Sequence, residues 1–386
     1  MAVDVSTRTL LTGAEAVAHA MRQIDPDVVP VYPITPQTPI IETFSKLVAN
    51  ARAGTEIVNV ESEHSALSAA VGAALAGART MTATSSQGLA LMAEVVYIAA
   101  AMRAPIVMAL ANRALSGPIN IHGDHSDSML IRDSGVVQLF AENAQEAYDL
   151  TVLAPRIAEH PDVLLPVLVC QDGFTVTHTA EPVELLPDEV VRAFPGDYRI
   201  PHSVLDPAHP TTQGPFAMPD AYFELRHEQV RAIEAVPDVF AAVAAEFAEL
   251  SGRVYHAVEP YALDDAERAL VLLGSSAGTA GEVVDELRGR GERVGLVSIR
   301  SFRPFPALEL RAALAGVDRV VVLDRALAPG AAPPLFADVA AALVGSPAEL
   351  SGFVYGLGGR DLLPAHVERA FAGAPNGQTG YLGLEE

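Results

Sequence analysis

Cysteine is almost absent from this sequence, because Cys170 is the only one in 386 residues. A disulfide within the chain is therefore excluded. An iron–sulfur cluster held by this chain alone is excluded as well, because such a cluster needs about four thiolates. A single cysteine fits a reducing compartment, and we expect the protein to be cytoplasmic.

Basic residues are also scarce: 25 Lys and Arg stand against 48 Asp and Glu, giving a net charge of −23. Such a surface repels phosphate backbones, which argues against a nucleic-acid partner. A long apolar run is missing too, since the stretch 89–110 is interrupted by Glu94, Arg103 and Pro105. We expect a buried helix and strand there instead of a membrane span, and the first 11 residues lack the pattern of a signal peptide.

Half of the residues are hydrophobic, and the length exceeds that of one ordinary core, so we expect two α/β domains. The first domain alternates short apolar runs with Ala-rich helical stretches. The runs are continuously apolar, which is typical of strands buried on both faces of a doubly wound parallel sheet. The predicted strands are 28–32, 57–60, 80–84, 105–111 and 165–169, and the predicted helices are 13–23, 36–49, 63–76, 88–102 and 144–159. A capping box of Thr12 and Glu15 opens the first helix, and Pro36 opens the second.

The chain changes character after residue 179, where nine of the 28 prolines fall before residue 238. We expect a connector arm that wraps over a surface and then a helix at 221–250. A second α/β unit follows, with strands at 269–274, 293–299 and 320–324 and helices at 277–289, capped by Thr279 and Glu282, and at 307–314. The predicted domains are 1–179, 180–261 and 262–386.

Ligands of open parallel sheets bind beyond the carboxyl ends of the strands, and four polar segments lie at such ends. Thr35, within YPITPQTP, stands before a helix, where it is either a carboxylate-binding residue or simply an N-cap. Glu63, within ESEHS, opens a helix of small residues. It is either a dipole partner or a carboxylate that contacts a ligand nitrogen.

The third segment is a polar turn of Ser85, Ser86, Gln87 and Gly88, whose serines are candidates for helix caps. In the fourth, Arg113 follows a buried strand, where its guanidinium suits a carboxylate. The His/Asp-rich run at 122–128 has no strong metal-ligand spacing, and we interpret it as a hydrogen-bonded loop without a metal.

Together these segments resemble the α subunit of the pyruvate:ferredoxin oxidoreductases (pyruvate synthases) of the 2-oxoacid:ferredoxin oxidoreductase family. The resemblance extends from about residue 11 to 343 and is carried by YPITPQTP, ESEHSALSAA, TATSSQGLALM, NRALSGPINI, GDHSDSM, AENAQEAYDL, GSSAGTAGEVVDELR, IRSFRPFP and VVVLDRALAPG. It implies a pyrimidine-type thiamine-enzyme domain followed by a domain like the C-terminal one of transketolase.

The resemblance also implies an activity: oxidative decarboxylation of a 2-oxoacid with thiamine diphosphate and coenzyme A, with electrons passing to ferredoxin. Residue by residue, it implies that Glu63 contacts the aminopyrimidine ring of the coenzyme. It further implies that Thr35 and Arg113 hold the oxoacid carboxylate, and that Ser85, Ser86 and Gln87 lie beside the coenzyme.

The GDG segment that holds magnesium and diphosphate in thiamine enzymes has no match here. The resemblance therefore implies a β subunit that carries the diphosphate and Mg²⁺, with γ and ferredoxin-like δ subunits, or fusions of them, that carry [4Fe–4S] clusters. We expect the chain alone to be inert. Alternatives are another oxoacid (2-oxoisovalerate, oxalate, phenylglyoxylate or 2-oxoglutarate), NAD as acceptor, or a non-catalytic assembly subunit.

Overall fold

The computed structural model describes residues 7–385, which form two α/β units joined by an irregular connector and a long helix. The strands of the first unit are β1 (Thr7–Thr12), β2 (Val28–Val31), β3 (Glu56–Asn59), β4 (Thr80–Thr84), β5 (Ile106–Asn112), β6 (Val137–Ala141), β7 (Val167–Asp172) and β8 (Ala180–Leu185). Its helices are α1 (Gly13–Ile24), α2 (Thr38–Ala49), α3 (Glu63–Ala76), α4 (Ser86–Ala101), α5 (Ser126–Leu130) and α6 (Ala144–Ala158).

The connector holds α7 (Asp188–Ala193) and α8 (Tyr222–Ser251), with irregular chain between them. The strands of the second unit are β9 (Val258–Tyr261), β10 (Arg268–Leu272), β11 (Val294–Ile299), β12 (Ser301–Arg303), β13 (Arg319–Asp324), β14 (Glu349–Val354) and β15 (Thr379–Tyr381). Its helices are α9 (Ser276–Gly289), α10 (Ala307–Ala313), α11 (Pro334–Ala342) and α12 (Pro364–Ala372).

The first sheet has the strand order β12-β6-β7-β5-β4-β2-β3, and all its pairs are parallel except β12 with β6. Every residue of β4, β5, β6 and β7 is buried, as the continuously apolar runs predicted. One face packs against α1, α2 and α6, and the other packs against α3 and α4. The doubly wound parallel sheet is confirmed.

The second sheet has the order β15-β14-β13-β10-β11-β9 and is parallel except for the edge strand β9. Its core is continuous with that of the first unit, since Leu67 and Leu89 belong to the same buried cluster as Val271 and Phe302. Across residues 7–385, no helix is long and apolar enough to cross a membrane.

Three predicted helix starts are wrong. Helix α4 begins at Ser86 and not at Gly88, because the Gly88 amide already donates to the Ser85 carbonyl in its first turn. Helix α2 begins at Thr38 and not at Pro36, because the amides of Gln37 and Thr38 first close a turn on the Ile34 carbonyl. Helix α9 begins at Ser276, ahead of the expected cap at Thr279 and Glu282. The flanking Ser275 makes no cap, because its hydroxyl donates to a carboxylate of the first unit.

Candidate active site at the carboxyl edge of the first sheet

The carboxylate of Glu63 lies at the start of α3 in a protected position. Ser62 is the N-cap, and its hydroxyl accepts a hydrogen bond from the Ser65 amide at 3.2 Å. Glu63 is only 8% exposed, yet within residues 7–385 its carboxylate has neither a hydrogen-bond donor nor an ion-pair partner. A buried carboxylate without a protein partner is costly, so this group is suited to a donor that arrives with a ligand.

Gly88 lets the first turn of α4 lie directly against Glu63. A Cβ atom at this glycine would stand 2.8 Å from Oε1 and 2.9 Å from Cγ of Glu63, and it would overlap the Thr84 hydroxyl. No larger residue fits without displacing the carboxylate. Helices α3 and α4 therefore enclose Glu63 from two sides.

Arg113 follows β5 and is 6% exposed. Its Nη1 donates to the Thr35 carbonyl at 2.9 Å, and its Nε donates to the Asn120 carbonyl at 2.9 Å. In the described part of the chain no carboxylate pairs with this guanidinium, so its charge remains available to an anion. The structure thus brings the Arg113 guanidinium to the main chain of Thr35, and their shared role in holding the oxoacid carboxylate stays a prediction.

Thr35 itself is exposed, and it does not cap the helix that follows it. The N-cap of α2 is Gln37, which makes no side-chain cap bond. The interpretation of Thr35 as an N-cap is therefore wrong. Thr35 is exposed on the loop whose carbonyl binds the Arg113 guanidinium.

The two serines of the polar turn bind backbone instead of capping α4. Ser85 Oγ donates to the Ala111 carbonyl at 2.7 Å, and Ser86 Oγ donates to the Ala114 carbonyl at 2.6 Å. Gln87 is exposed, and its Oε1 accepts the Ser116 amide at 2.8 Å. The turn is thus tied to the loop after β5, and of its three predicted ligand-binding residues Gln87 is the one at the surface.

Asp127, which the sequence reasoning did not single out, is fully buried beneath this turn. Its Oδ2 accepts the amides of Arg113 at 2.9 Å and Ser86 at 3.0 Å. Its Oδ1 accepts Asn112 Nδ2 at 2.9 Å and the Ser128 amide at 2.8 Å. Burial raises the pKa of the Asp127 carboxyl to about 7, although these hydrogen bonds oppose the shift. Only the acidic character of the 122–128 run hinted at this role.

The His/Asp-rich run 122–128 also forms ion pairs and hydrogen bonds that reach the second unit. His125 Nε2 lies 2.7 Å from Asp172, which also pairs with Arg325 at 3.0 Å and accepts the Ser275 hydroxyl. Burial alone would raise the pKa of Asp172, but Arg325 and His125 hold it far below its usual range. Asp124 accepts the Gly358 amide at 3.1 Å. The predicted loop 122–128 is only partly correct, because residues 126–128 form the start of α5. Among residues 7–385, no three or more His, Cys, Asp or Glu side chains are grouped so that they could hold a metal ion.

Comparison with known proteins finds matches along nearly the whole chain. Residues 19–245 match the family described as pyruvate flavodoxin/ferredoxin oxidoreductase, thiamine diphosphate-binding, and residues 266–367 match pyruvate:ferredoxin oxidoreductase core domain II. The pyruvate synthase subunit PorA of Thermotoga maritima is 56% identical over 99% of both chains. That of Methanothermobacter thermautotrophicus is 46% identical over 98% of both. The ketoisovalerate oxidoreductase subunit VorA of Pyrococcus abyssi is 40% identical over 94% of this chain and 92% of its own.

Two solved structures share the fold. The 2-oxoglutarate:ferredoxin oxidoreductase from Magnetococcus marinus, with 2-oxoglutarate, coenzyme A and succinyl-CoA bound, superposes with a TM-score of 0.73 at 20% identity, over 94% of this chain. The present chain spans 65% of the length of that protein's chain. A split-gene transketolase, an inactive β4 tetramer, superposes with a TM-score of 0.56 at 14% identity, over 94% of this chain and 99% of its own. The predicted combination of a thiamine-enzyme fold with a transketolase-like second unit is confirmed.

Proposed function

Because this chain belongs to the pyruvate flavodoxin/ferredoxin oxidoreductase family, we propose that it is the α subunit of a pyruvate synthase-type enzyme. In this role it supplies the aminopyrimidine-binding half of a thiamine diphosphate site. The observation that carries the proposal is the buried Glu63 carboxylate, which has no protein partner within residues 7–385.

Glu63 would hold a ring nitrogen of the coenzyme. Thiamine diphosphate, when bound, supplies a thiazolium carbon that serves as the nucleophile and electron sink for decarboxylation. The first turns of α3 and α4 leave Glu63 only 8% exposed, so that a hydrogen bond from the coenzyme to its carboxylate would be stronger than in solution. The same enclosure fixes the direction from which the ring must approach.

Arg113 would hold the oxoacid carboxylate. Two of its donors already bind the carbonyls of Thr35 and Asn120, which fixes the plane of the guanidinium before substrate arrives. The exposed Thr35 hydroxyl lies on the same loop as its bonded carbonyl and offers a second donor. The ion pair with Arg113 would bind and orient the oxoacid; because it weakens as the carboxylate leaves as carbon dioxide, its energy contributes to substrate binding and not to acceleration of that step.

A partner subunit would complete the site. The outer faces of α3 and α4 expose Leu91, Tyr97 and Ile98 at 49%, 39% and 42%, alongside small residues such as Gly72. Both helices begin at the candidate site, so a protein that covers this apolar face also closes over Glu63. We assign the diphosphate and Mg²⁺ to this β subunit, because the GDG segment is missing from the present chain.

Electrons would leave through other subunits. Cys170 is fully buried in β7, so [4Fe–4S] clusters belong to partner chains of the γ and δ type, which pass electrons to ferredoxin. The single cysteine also supports a reducing cytoplasm. We divide the chain functionally at 1–179, 180–261 and 262–386, with the coenzyme residues in the first segment and assembly as the role of the last.

Pyruvate is the substrate that the comparisons favour, because the pyruvate synthase subunit from Thermotoga maritima is 56% identical and the ketoisovalerate subunit from Pyrococcus abyssi is 40% identical. 2-Oxoisovalerate is the second candidate. The native complex should be isolated and assayed with pyruvate, 2-oxoisovalerate and 2-oxoglutarate, each with coenzyme A and a viologen dye. We expect the highest kcat/KM with pyruvate and no turnover by the isolated chain. A complex that contains no thiamine diphosphate and turns over none of these acids would refute the proposal.

A further inference from the structure

One buried carboxylate links the two halves of the candidate site. Asp127 Oδ2 accepts both the amide of Arg113, the first residue after β5, and the amide of Ser86, the first residue of α4. Its other oxygen is held by Asn112 Nδ2 and the Ser128 amide, so the carboxylate cannot rotate without losing hydrogen bonds. Hydrogen bonds to both of its oxygens therefore fix the orientation of the Asp127 carboxylate.

Within α4, Gly88, which packs against Glu63, lies only two positions after Ser86, which Asp127 binds. Ser86 has a φ of 44°, in the left-handed region that non-glycine residues avoid. The bonds from its amide to Asp127 and from its hydroxyl to the Ala114 carbonyl hold it there. Two residues later, Gly88 packs against the Glu63 carboxylate. A shift of the Ser86 amide would therefore displace Gly88, and with it the first turn of α4 that packs against the Glu63 carboxylate.

We propose that Asp127 is a positioning residue, which fixes the main chain of Arg113 relative to the start of α4 and so sets the spacing between the oxoacid-binding guanidinium and the coenzyme-binding carboxylate. This inference rests on the proposed function. It assigns to Asp127 no contact with substrate or coenzyme. Its effect is transmitted through the backbone of the two loops that it joins.

A purely structural role makes a different prediction, and the chain contains a matched control. Asp324 is 2% exposed and likewise accepts two backbone amides, those of Leu335 at 2.6 Å and Phe336 at 3.1 Å, at the start of α11. Asp324→Ala should lower stability while leaving all four hydrogen bonds of Asp127 in place. Its neighbour Arg325, whose carbonyl accepts the His125 amide at 2.9 Å, makes it a control for general loosening of the 122–128 run. Any effect of Asp127→Ala that Asp324→Ala lacks must come from the loops of Arg113 and Ser86.

The test compares the two variants in the assembled complex. For Asp127→Ala we expect the KM for pyruvate and the dissociation constant of thiamine diphosphate to rise about tenfold each, with the KM for coenzyme A unchanged. For Asp324→Ala we expect the melting temperature to fall and both constants to remain unchanged. Amide hydrogen exchange should accelerate in segments 84–88 and 112–114 of Asp127→Ala only. Equal changes in both variants, or unchanged constants in Asp127→Ala, would overturn the proposal.

The conservative variant Asp127→Asn keeps the test decisive if the alanine variant does not assemble. Its remaining oxygen can still accept the amides of Arg113 and Ser86, while the new amide faces Asn112, whose Oδ1 is buried without a partner within residues 7–385. We expect both constants to stay within about threefold of wild type and amide exchange to accelerate at Ser128 but not at Ser86. Faster exchange at Ser86 with unchanged constants would refute positioning. A wild-type complex without oxoacid turnover would refute the proposed function, and the exchange comparison would still decide the role of Asp127.

Discussion

At the scale of single residues, two glutamates separated by one serine have opposite environments. Glu61 is exposed and accepts the Ser65 hydroxyl at 2.5 Å, whereas Glu63 is buried and has no donor within residues 7–385. Glu63→Gln keeps the shape and removes the charge. We expect it to lower kcat on the order of a hundredfold, because a neutral amide stabilises the coenzyme ring poorly. Glu61→Gln, with the same loss of charge, should stay within about twofold of wild type.

Steady-state turnover of the assembled complex, together with the affinity for thiamine diphosphate, measures both variants. The stoichiometry of subunits should be checked by size-exclusion chromatography, because Glu63 lies next to the surface that we assign to the β subunit. Equal turnover in the two variants would remove Glu63 from the site.

Substitution of Arg113 tests the proposed oxoacid-binding half of the site. Arg113→Lys keeps the positive charge but loses the planar fork that binds the carbonyls of Thr35 and Asn120. We expect the KM for pyruvate to rise by about ten- to a hundredfold, while the KM for coenzyme A, measured in the same assays, stays constant. A parallel rise of both constants would show that the substitution disturbs the fold and not the oxoacid site.

At the scale of secondary-structure elements, the first turn of α4 combines helix formation with close packing against Glu63. Gly88→Ala ordinarily stabilises a helix by about 0.5–1 kcal/mol, but here the added Cβ meets Glu63 and Thr84. We therefore expect this variant to lose stability and to bind thiamine diphosphate more weakly.

The matched control is Gly281→Ala in α9, where a Cβ would have no neighbour within 4 Å. Its free energy of unfolding should rise by about 0.5–1 kcal/mol, with thiamine diphosphate affinity unchanged. Denaturant unfolding and calorimetric titration of the complex measure both quantities. If Gly88→Ala is as stable as the control and binds the coenzyme normally, α4 does not confine Glu63.

The elements that the sequence predicted best are those with strong local signals. Helix α3 matches its prediction at both ends, since Ser62 caps it and Gly77 ends it in the left-handed conformation. The capping box of Thr12 and Glu15 is present in α1. The predictions omitted the strands β1, β6, β8, β9, β12, β14 and β15 and the helices α5, α7, α11 and α12. Among these strands β1 pairs with β8, and β12 pairs with β6, each over a long separation in sequence. Such pairings depend on distant partners, which no local pattern contains.

The site was predictable to a similar extent. Thr35, Glu63 and Arg113 could be singled out because each follows the carboxyl end of a strand of the parallel sheet, where ligands of such sheets bind, although β3, which precedes Glu63, is a partly exposed edge strand. Asp127 could not be, because it follows no strand end and acts by accepting amides from segments 14 and 41 residues away. The role of Asp127 depends on the tertiary fold, which places the loops of Arg113 and Ser86 against its carboxylate.

At the scale of the whole molecule, Glu142 lies after β6, where the two units meet. Burial, and then the neighbouring Glu146, raise the pKa of the Glu142 carboxyl above its ordinary value of 4.5, while Ser298 and Arg300 of the second unit oppose the shift. The folded chain thus holds this proton more tightly than the unfolded chain does. Stability is therefore lost as pH rises from about 4.5 through the folded pKa.

Glu142→Gln removes that ionisation. We expect the variant to exceed wild type by about 1 kcal/mol in free energy of unfolding at pH 8, and by close to nothing at pH 4.5. Denaturant unfolding at the two pH values measures the difference. The exposed Glu249 on α8 is the control, and Glu249→Gln should show no such dependence on pH. A benefit of Glu142→Gln that is equal at both pH values would contradict this account.

Strand β12 comes from the second unit but forms the outer strand of the first sheet, where Ser301 pairs with Leu139 of β6. A gene split between the codons of these two strands would yield an N-terminal product whose β6 ends the sheet with its amides and carbonyls unprotected. An unpaired edge strand can pair with the same strand of another copy, so we expect this product to aggregate instead of associating with the C-terminal product. Covering the edge of β6 is thus a reason for the two units to be translated as one polypeptide.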